Sequence, residues 1–355
     1  MQKILVVNPF GIGDVLFTTP VLRSLKQKYP QSFIAYLCNS RSALVLKNNP
    51  FVDQIFFYSR GDFKIIKKKS NFKYLVQVFK AIIVLKKMKF DFVIDLSLVT
   101  QYSFIFWLIG IKKRYGFNYR NRGFFLTDKI DLSGFTDKHV VEYYRQLMFK
   151  AGIDKFRKHL DFFLNTEDLA WQQEFLQKNQ INNNGLIVGI APFGGISWGQ
   201  NAENKQWPLE RFAGVINRVI DKYNARVIIF GVKADLKAAK DLQNMIKTGK
   251  IISAVGCTDL RQLGALIKCL NLLISNDSGP MHIACALDIK IAAVYGPVDE
   301  KVYGPIGNPD NYAVITKDLA CRPCYKNFRT KDCRTKKCLM QISEDNVFDA
   351  IERLL

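Results

Sequence analysis

Leu272-Leu273-Ile274-Ser275-Asn276-Asp277-Ser278-Gly279-Pro280-Met281-His282-Ile283-Ala284-Cys285-Ala286-Leu287 is the stretch that decides the fold. The apolar run through Leu270, Leu272, Leu273 and Ile274 reads as a buried strand, and Ile283 to Leu287 as a helix packed on a sheet. A strand end, a Ser-Gly turn and a helix start leave several backbone N–H groups without intrahelical partners. The helix macrodipole adds partial positive charge there. Such a place suits a phosphate group, with Ser278 and Gly279 supplying donors.

The opening of the chain repeats the pattern. Lys3–Val7 reads as a buried parallel strand, Asn8-Pro9-Phe10-Gly11-Ile12-Gly13-Asp14 as a turn, and Val15 to Lys28 as a helix. Gly11 and Gly13 permit a tight bend or close approach to a ligand, but the third glycine of a dinucleotide fingerprint is missing. By itself the motif fits a plain βα turn better than a nucleotide loop. Working outward, strands are expected at Phe33–Leu37, Gln54–Tyr58 and Phe92–Asp95, and a helix over Lys138–Gly152 capped by Asp137. A second polar helix is expected from Leu169 to Lys178. Asn182-Asn183-Asn184-Gly185 is the clearest linker signal. Beyond it come strands at Leu186–Ile190, Arg226–Phe230, Leu272–Ser275 and Ile291–Tyr295. Helices are expected at Leu209–Tyr223, Leu260–Leu270 and, after Ser343, Glu344–Leu355. Alternating strands and helices indicate an α/β protein of two parallel-sheet domains, 1–170 and 186–355, joined by a linker at 171–185. Ligands would bind where the strands end.

The 355 residues suffice for two cores, and the net charge of +21 is unevenly spread. Residues 61–90 hold nine Lys and one acid, Asp62, and Lys112-Lys113-Arg114 with Arg120 and Arg122 form a second basic run. A solvated face, an anionic membrane surface or an anionic substrate would each account for this. Nucleic acid is disfavoured, because no helix-turn-helix, RNA-binding sheet or zinc-finger pattern accompanies the charge. Phe92–Ile111 is nearly uncharged, yet Asp95, Ser97, Thr100 and Gln101 interrupt it. It reads as a strand followed by an apolar helix at Tyr102–Ile109 rather than a membrane span. No secretory signal is read at the start, which suggests a reducing, cytoplasmic setting. Cys321, Cys324, Cys333 and Cys338 cluster among Arg and Lys residues that would favour thiolates. They could hold a structural zinc, pair as disulfides under oxidant, or stay free.

Several of these segments together resemble one family. Gly11-Ile12-Gly13-Asp14-Val15-Leu16-Phe17-Thr18-Thr19-Pro20, Lys205-Gln206-Trp207-Pro208, Asn276 to His282, and Val294-Tyr295-Gly296-Pro297 are similar, in order, to the motifs of the family 9 glycosyltransferases, the heptosyltransferase family. Asp95-Leu96 and the helix from His139 fit more loosely. The resemblance implies a GT-B fold, two Rossmann-like domains facing across a cleft, with the nucleotide-sugar donor on the C-terminal domain and the acceptor on the N-terminal one. It also implies inverting transfer of a heptose from ADP-heptose to lipopolysaccharide core or a related glycolipid. The enzyme would be peripheral on the inner face of the cytoplasmic membrane.

Glycosyl transfer needs a base for the acceptor hydroxyl, positive groups for the departing diphosphate, and alignment of the two substrates. Asp14 matches the family's base; its residue-level alternative is a helix cap. Lys205 and the Ser278–Gly279 backbone are the expected diphosphate cradle. Asp277 would accept from sugar hydroxyls, and Gly194 and Gly195 would allow close approach. His282 would face the diphosphate or pack neutral. Gly13, Lys112 and Arg114 are the expected acceptor contacts. No Asp-x-Asp occurs, so the transfer is expected to be metal-independent. Two departures stand out: the run Ile196–Asn204 is longer than in familiar relatives, and Gly231-Val232-Lys233-Ala234-Asp235 lacks the family's ribose-binding Glu, for which Asp235 could substitute. The alternatives are a sugar-nucleotide epimerase on the same fold, for which only Asp14, Asp277 and His282 offer acid–base groups, and a non-catalytic polyanion-binding protein.

Overall fold

The computed structural model describes residues 1–57, 70–181, 185–194, 196–326, 328–330 and 333–355. It resolves into two compact units, Met1–Asp161 and Phe162–Leu355.

In the first unit the described elements run β1 (Lys3–Val7), α1 (Ile12–Leu16), α2 (Thr19–Lys28), β2 (Phe33–Cys38), β3 (Gln54–Phe57), α3 (Asn71–Met88), β4 (Phe92–Asp95), α4 (Thr100–Leu108), β5 (Lys113–Tyr119), β6 (Asp128–Leu132) and α5 (Val140–Lys150). The strands form one parallel sheet in the order β3-β2-β1-β4-β5-β6. The chain leaves β1 toward β2 and β3, then returns to lay β4 on the other side of β1. The point of reversal lies between β1 and β4, the place where open parallel sheets bind ligands. Side chains alternate along β1, so Leu5 and Val7 pack with Val93, Leu85 of α3 and Phe106 of α4. α2 and α5 pack against each other elsewhere in the unit.

The expected helix Val15–Lys28 is two helices. Pro20 has no N–H to give the carbonyl of residue 16, so α1 stops and α2 restarts after Thr18. α5 is capped by His139, whose Nδ1 accepts from Val141 N at 3.2 Å, not by Asp137, which receives the Tyr143 hydroxyl instead. Tyr58, the last residue expected in β3, falls outside the described residues.

In the second unit α6 (Thr166–Lys178) precedes β7 (Ile187–Ala191), α7 (Leu209–Tyr223), β8 (Arg226–Ile229), α8 (Leu236–Asn244), β9 (Ile251–Ser253), α9 (Leu260–Lys268), β10 (Leu272–Asn276), α10 (Gly279–Ala286), β11 (Lys290–Val294), α11 (Glu300–Tyr303), β12 (Tyr312–Ile315), α12 (Lys337–Met340) and α13 (Glu344–Leu354). Its sheet is again parallel, ordered β12-β11-β10-β7-β8-β9, with the reversal between β7 and β10. Trp207, Phe212, Ile216 and Phe348 join the strands in the core.

The division between units comes earlier than the sequence suggests. α6 belongs to the second unit because it packs on α9. There Gln172 donates to the Ala265 carbonyl, Arg261 pairs with Asp168, and the Arg261 guanidinium lies 5.0 Å from the Phe162 ring. Asn182 to Asn184, read as the linker, lie outside the described residues. No helix among the described residues is long and apolar enough to cross a membrane.

Candidate active site

Asp14 sits in the first turn of α1, two residues inside the helix rather than ahead of it. Gly11 is the N-cap, and the Asp14 carboxylate reaches back to accept its N–H at 3.0 Å. The loop is braced from below. Asn8, fully buried at the end of β1, accepts from Phe10 N at 3.1 Å and donates to the Asp14 carbonyl at 3.2 Å. Asp14 itself remains half-exposed at the carboxyl edge of the sheet, next to Gly13. Burial, and after it the negative charge of Asp14, hold the Tyr144 phenol far above its usual range. Tyr144 therefore stays protonated close to the carboxylate.

Asp95 ends β4 in register with Val7 and is buried. Burial pushes its carboxyl up to about 6, against the opposing effect of Ser97, whose N–H donates to it at 3.0 Å. A second carboxyl thus stands at the first sheet's point of reversal.

In the second unit, the reversal brings β7 and β10 side by side, and Asn276 ties their ends to a third segment. Its Nδ2 donates to the Pro192 carbonyl at 2.5 Å, and its Oδ1 accepts from Trp207 N at 3.1 Å. Trp207 is sunk in the core, with Nε1 donating to the Ile342 carbonyl at 3.1 Å. That anchor delivers Lys205, two residues earlier, to the strand ends. Lys205 Nζ lies 2.5 Å from Asp277 Oδ2, the side chains being 11% and 7% exposed. The ammonium also lies 4.8 Å from the Trp198 ring, which stacks on Tyr325 at 4.9 Å. Ser278 is the N-cap of α10 with extended backbone, and no side chain caps it. Its hydroxyl pairs with Ser275 Oγ at 3.0 Å. A Cβ on Gly194 would stand 3.3 Å from Ser278 Cβ, so the turn after β7 runs close against this helix start. A buried cation, a paired carboxylate and an uncapped helix amino end at a sheet reversal can hold a diphosphate.

The structure therefore gathers Lys205, Asp277, Ser278, Gly279 and Gly194 in one place, and sets Asp14 and Gly13 at the corresponding place of the first unit. His282 is buried in the first turn of α10. Gly195 lies outside the described residues. Asp235 accepts from Val232 N at 2.8 Å, an internal cap of the turn after β8.

Lys112 and Arg114 need correction as acceptor contacts. They stand at the amino end of β5, in register with the start of β4, whereas Asp14 follows the carboxyl end of β1. The Arg114 guanidinium is also committed to the carbonyls of Phe125, at 2.5 Å, and Ile111. The sequence shows their charge but not which edge of the sheet they occupy.

Cys321 is exposed, Cys324 and Cys333 half-buried and Cys338 buried, all as free thiols. Among the described residues no three metal-binding side chains converge. Burial, and after it the neighbouring thiols of the same cluster, raise the Cys324 and Cys338 thiols against the opposing charge of Arg322, the reverse of the thiolate character expected from the basic flanks. Asn276 and Trp198 were missed as site residues. An Asn closing an apolar strand, and a Trp in the long run before Lys205, were the available signals.

The family model described as glycosyltransferase family 9 (heptosyltransferase) matches residues 78–336. The lipooligosaccharide heptosyltransferase 2 of Campylobacter jejuni is 25% identical over 364 residues, covering 100% of this chain and 98% of the relative. The lipopolysaccharide heptosyltransferase 3 of Escherichia coli is 24% identical over 302 residues, 83% and 84% of the two chains. Among solved structures, a family 9 glycosyltransferase from Veillonella parvula aligns with a TM-score of 0.81 at 26% identity, over 99% of this chain and 97% of that one. An E. coli heptosyltransferase solved with ADP aligns over 100% of both chains with a TM-score of 0.73 at 19% identity, a likeness of fold.

Proposed function

The chain belongs to glycosyltransferase family 9, and from that premise we propose that it moves a heptosyl unit from ADP-heptose to a lipopolysaccharide-core or related glycolipid acceptor, with inversion and without a catalytic metal. The observation that carries the reading is the Lys205–Asp277 pair set against the uncapped start of α10. An incoming diphosphate competes with Asp277 for Lys205, and Asp277 is released to accept from sugar hydroxyls. Lys205 and the α10 N–H groups then hold the charge that builds on the leaving diphosphate, stabilisation of a kind that contributes about 3 kcal/mol per donor. Asp14 takes the acceptor proton as the new bond forms. Its carboxylate is already oriented by Gly11 N–H and needs little reorganisation.

We place this work at the anionic inner face of the cytoplasmic membrane, to which a chain of net charge +21 is attracted. Thermal unfolding with ADP, UDP and GDP tests the donor. At 100 times its dissociation constant the true nucleotide adds about 2.7 kcal/mol. Mass spectrometry of acceptor plus ADP-heptose should then show one added heptosyl unit. Stabilisation by UDP alone, or donor isomerised without acceptor, would overturn the reading.

A further inference from the structure

α3 carries an apolar face that nothing among the described residues covers. Of its 18 residues only Leu85 is fully buried. Phe72, Leu75 and Phe79 are 75%, 61% and 63% exposed, and their spacing puts them on one stripe. Lys73, Lys80 and Lys87, seven apart, run along its flank, all exposed. α4 packs into the same core cluster as α3 and ends in a second exposed apolar group. There Phe104 and Trp107 stack at 5.9 Å, and Phe125 lies 5.0 and 5.4 Å from them. Phe124, 79% exposed, projects beyond, while Arg114 holds the Phe125 carbonyl in place.

We propose that this face of the first unit seats on an anionic lipid bilayer, with Phe72, Leu75 and Phe79 of α3 and Phe104, Trp107 and Phe124 beside α4 entering the headgroup region. Aromatic side chains ringed by Lys and Arg are the chemistry of an interfacial contact that lies in the membrane plane. The charge selects this occupant over a second copy. Residues 70–90 and 96–127 contain no Asp or Glu, whereas Lys73, Lys80, Lys86, Lys87, Lys112 and Lys113 are all exposed. A two-fold interface would set like charges against each other, while lipid phosphates neutralise them. The position also serves the chemistry. The end of α3 enters β4 at the amino edge, where Asp91 accepts from Lys3 N at 2.7 Å, and the helix is about 27 Å long by its rise. Its Phe72 end therefore points toward the edge that carries Asp14. The inference rests on the reading above that the acceptor is lipid-anchored.

Sedimentation with phosphatidylglycerol/phosphatidylcholine vesicles tests it, using pure phosphatidylcholine as the comparison. The wild-type chain should bind the anionic vesicles and largely ignore the neutral ones. Phe72→Ser/Leu75→Ser/Phe79→Ser should lower anionic-vesicle partitioning at least tenfold. Lys73→Gln/Lys80→Gln/Lys87→Gln should flatten its salt dependence. Both variants should keep the wild-type melting temperature, ADP stabilisation and transfer to a delipidated acceptor, which separates failure of this contact from failure of the catalytic reading. Three results would overturn the proposal: undiminished vesicle binding by the Ser variant, a dimer in light scattering that the Ser variant splits, or polynucleotide binding lost in place of vesicle binding.

Discussion

Replacing Lys205 by Met separates the ion pair from the chemistry it serves. Lys205 and Asp277 are both about nine-tenths buried and 2.5 Å apart. Removing one partner leaves the other charge buried without compensation, a loss of about 3–5 kcal/mol. The contact of the ammonium with the Trp198 ring contributes about 1 kcal/mol more. At about 2–4 °C per kcal/mol for a unit of this size, the single variant should melt about 10 °C early. Adding Asp277→Asn removes the stranded charge and should restore at least about 2 kcal/mol. Turnover should not follow stability. With no cation on the leaving diphosphate, both variants should lose about 100- to 1000-fold in kcat. Differential scanning fluorimetry and steady-state ADP release measure the two quantities. A Lys205→Met protein that melts with the wild type would show the pair to be solvated and weak. One that melts early yet keeps its kcat would remove Lys205 from the leaving-group role.

Three further outcomes follow from the same geometry. Burial raises the Asp95 carboxyl from the ordinary aspartate value of 3.8 to about 6 in the folded chain, so the folded chain holds a proton that the unfolded chain has lost between those values. Stability relative to Asp95→Asn should therefore be greatest below pH ~4 and fall as pH rises to ~6, by about 3 kcal/mol in all, as urea unfolding across that range would show. Trp198→Leu, which removes the ring between Lys205 and Tyr325, should weaken ADP binding about fivefold in calorimetric titration, with Trp198→Phe recovering most of it. Transfer should continue in excess EDTA, since Lys205 and α10 carry the diphosphate; activity lost to chelator and restored by Mg²⁺ would contradict the cradle described.

The parallel sheets were legible where burial on both faces leaves continuous apolar runs, as in Lys3–Val7 and Leu272–Ile274. β5 is not legible in the sequence, because Lys113-Arg114-Tyr115-Gly116-Phe117-Asn118-Tyr119 opens with two bases and holds a glycine, and it takes its strand form from pairing with β4 and β6. α3 differs: Phe72, Leu75 and Phe79 recur at helical spacing, so the helix is readable in the sequence, while the exposure of that stripe is not. For the site, residues fixed by the local chain were readable. Asp14 belongs to its own turn, and Lys205 is set by the neighbouring Trp207. Residues whose place depends on sheet topology were not. Lys112 and Arg114 sit at the amino edge of the sheet, away from Asp14, and the four thiols, close in sequence, differ in burial from exposed Cys321 to buried Cys338.

Asp14 is tested most directly by one rapid-quench experiment, in which saturating ADP-heptose and acceptor are mixed with wild-type chain and with Asp14→Asn, and ADP release is followed through a single turnover. Asn keeps the size of the side chain and an oxygen for Gly11 N–H, so donor affinity should be unchanged while the chemical step slows at least about a hundredfold. Equal single-turnover rates for the two proteins would contradict the account.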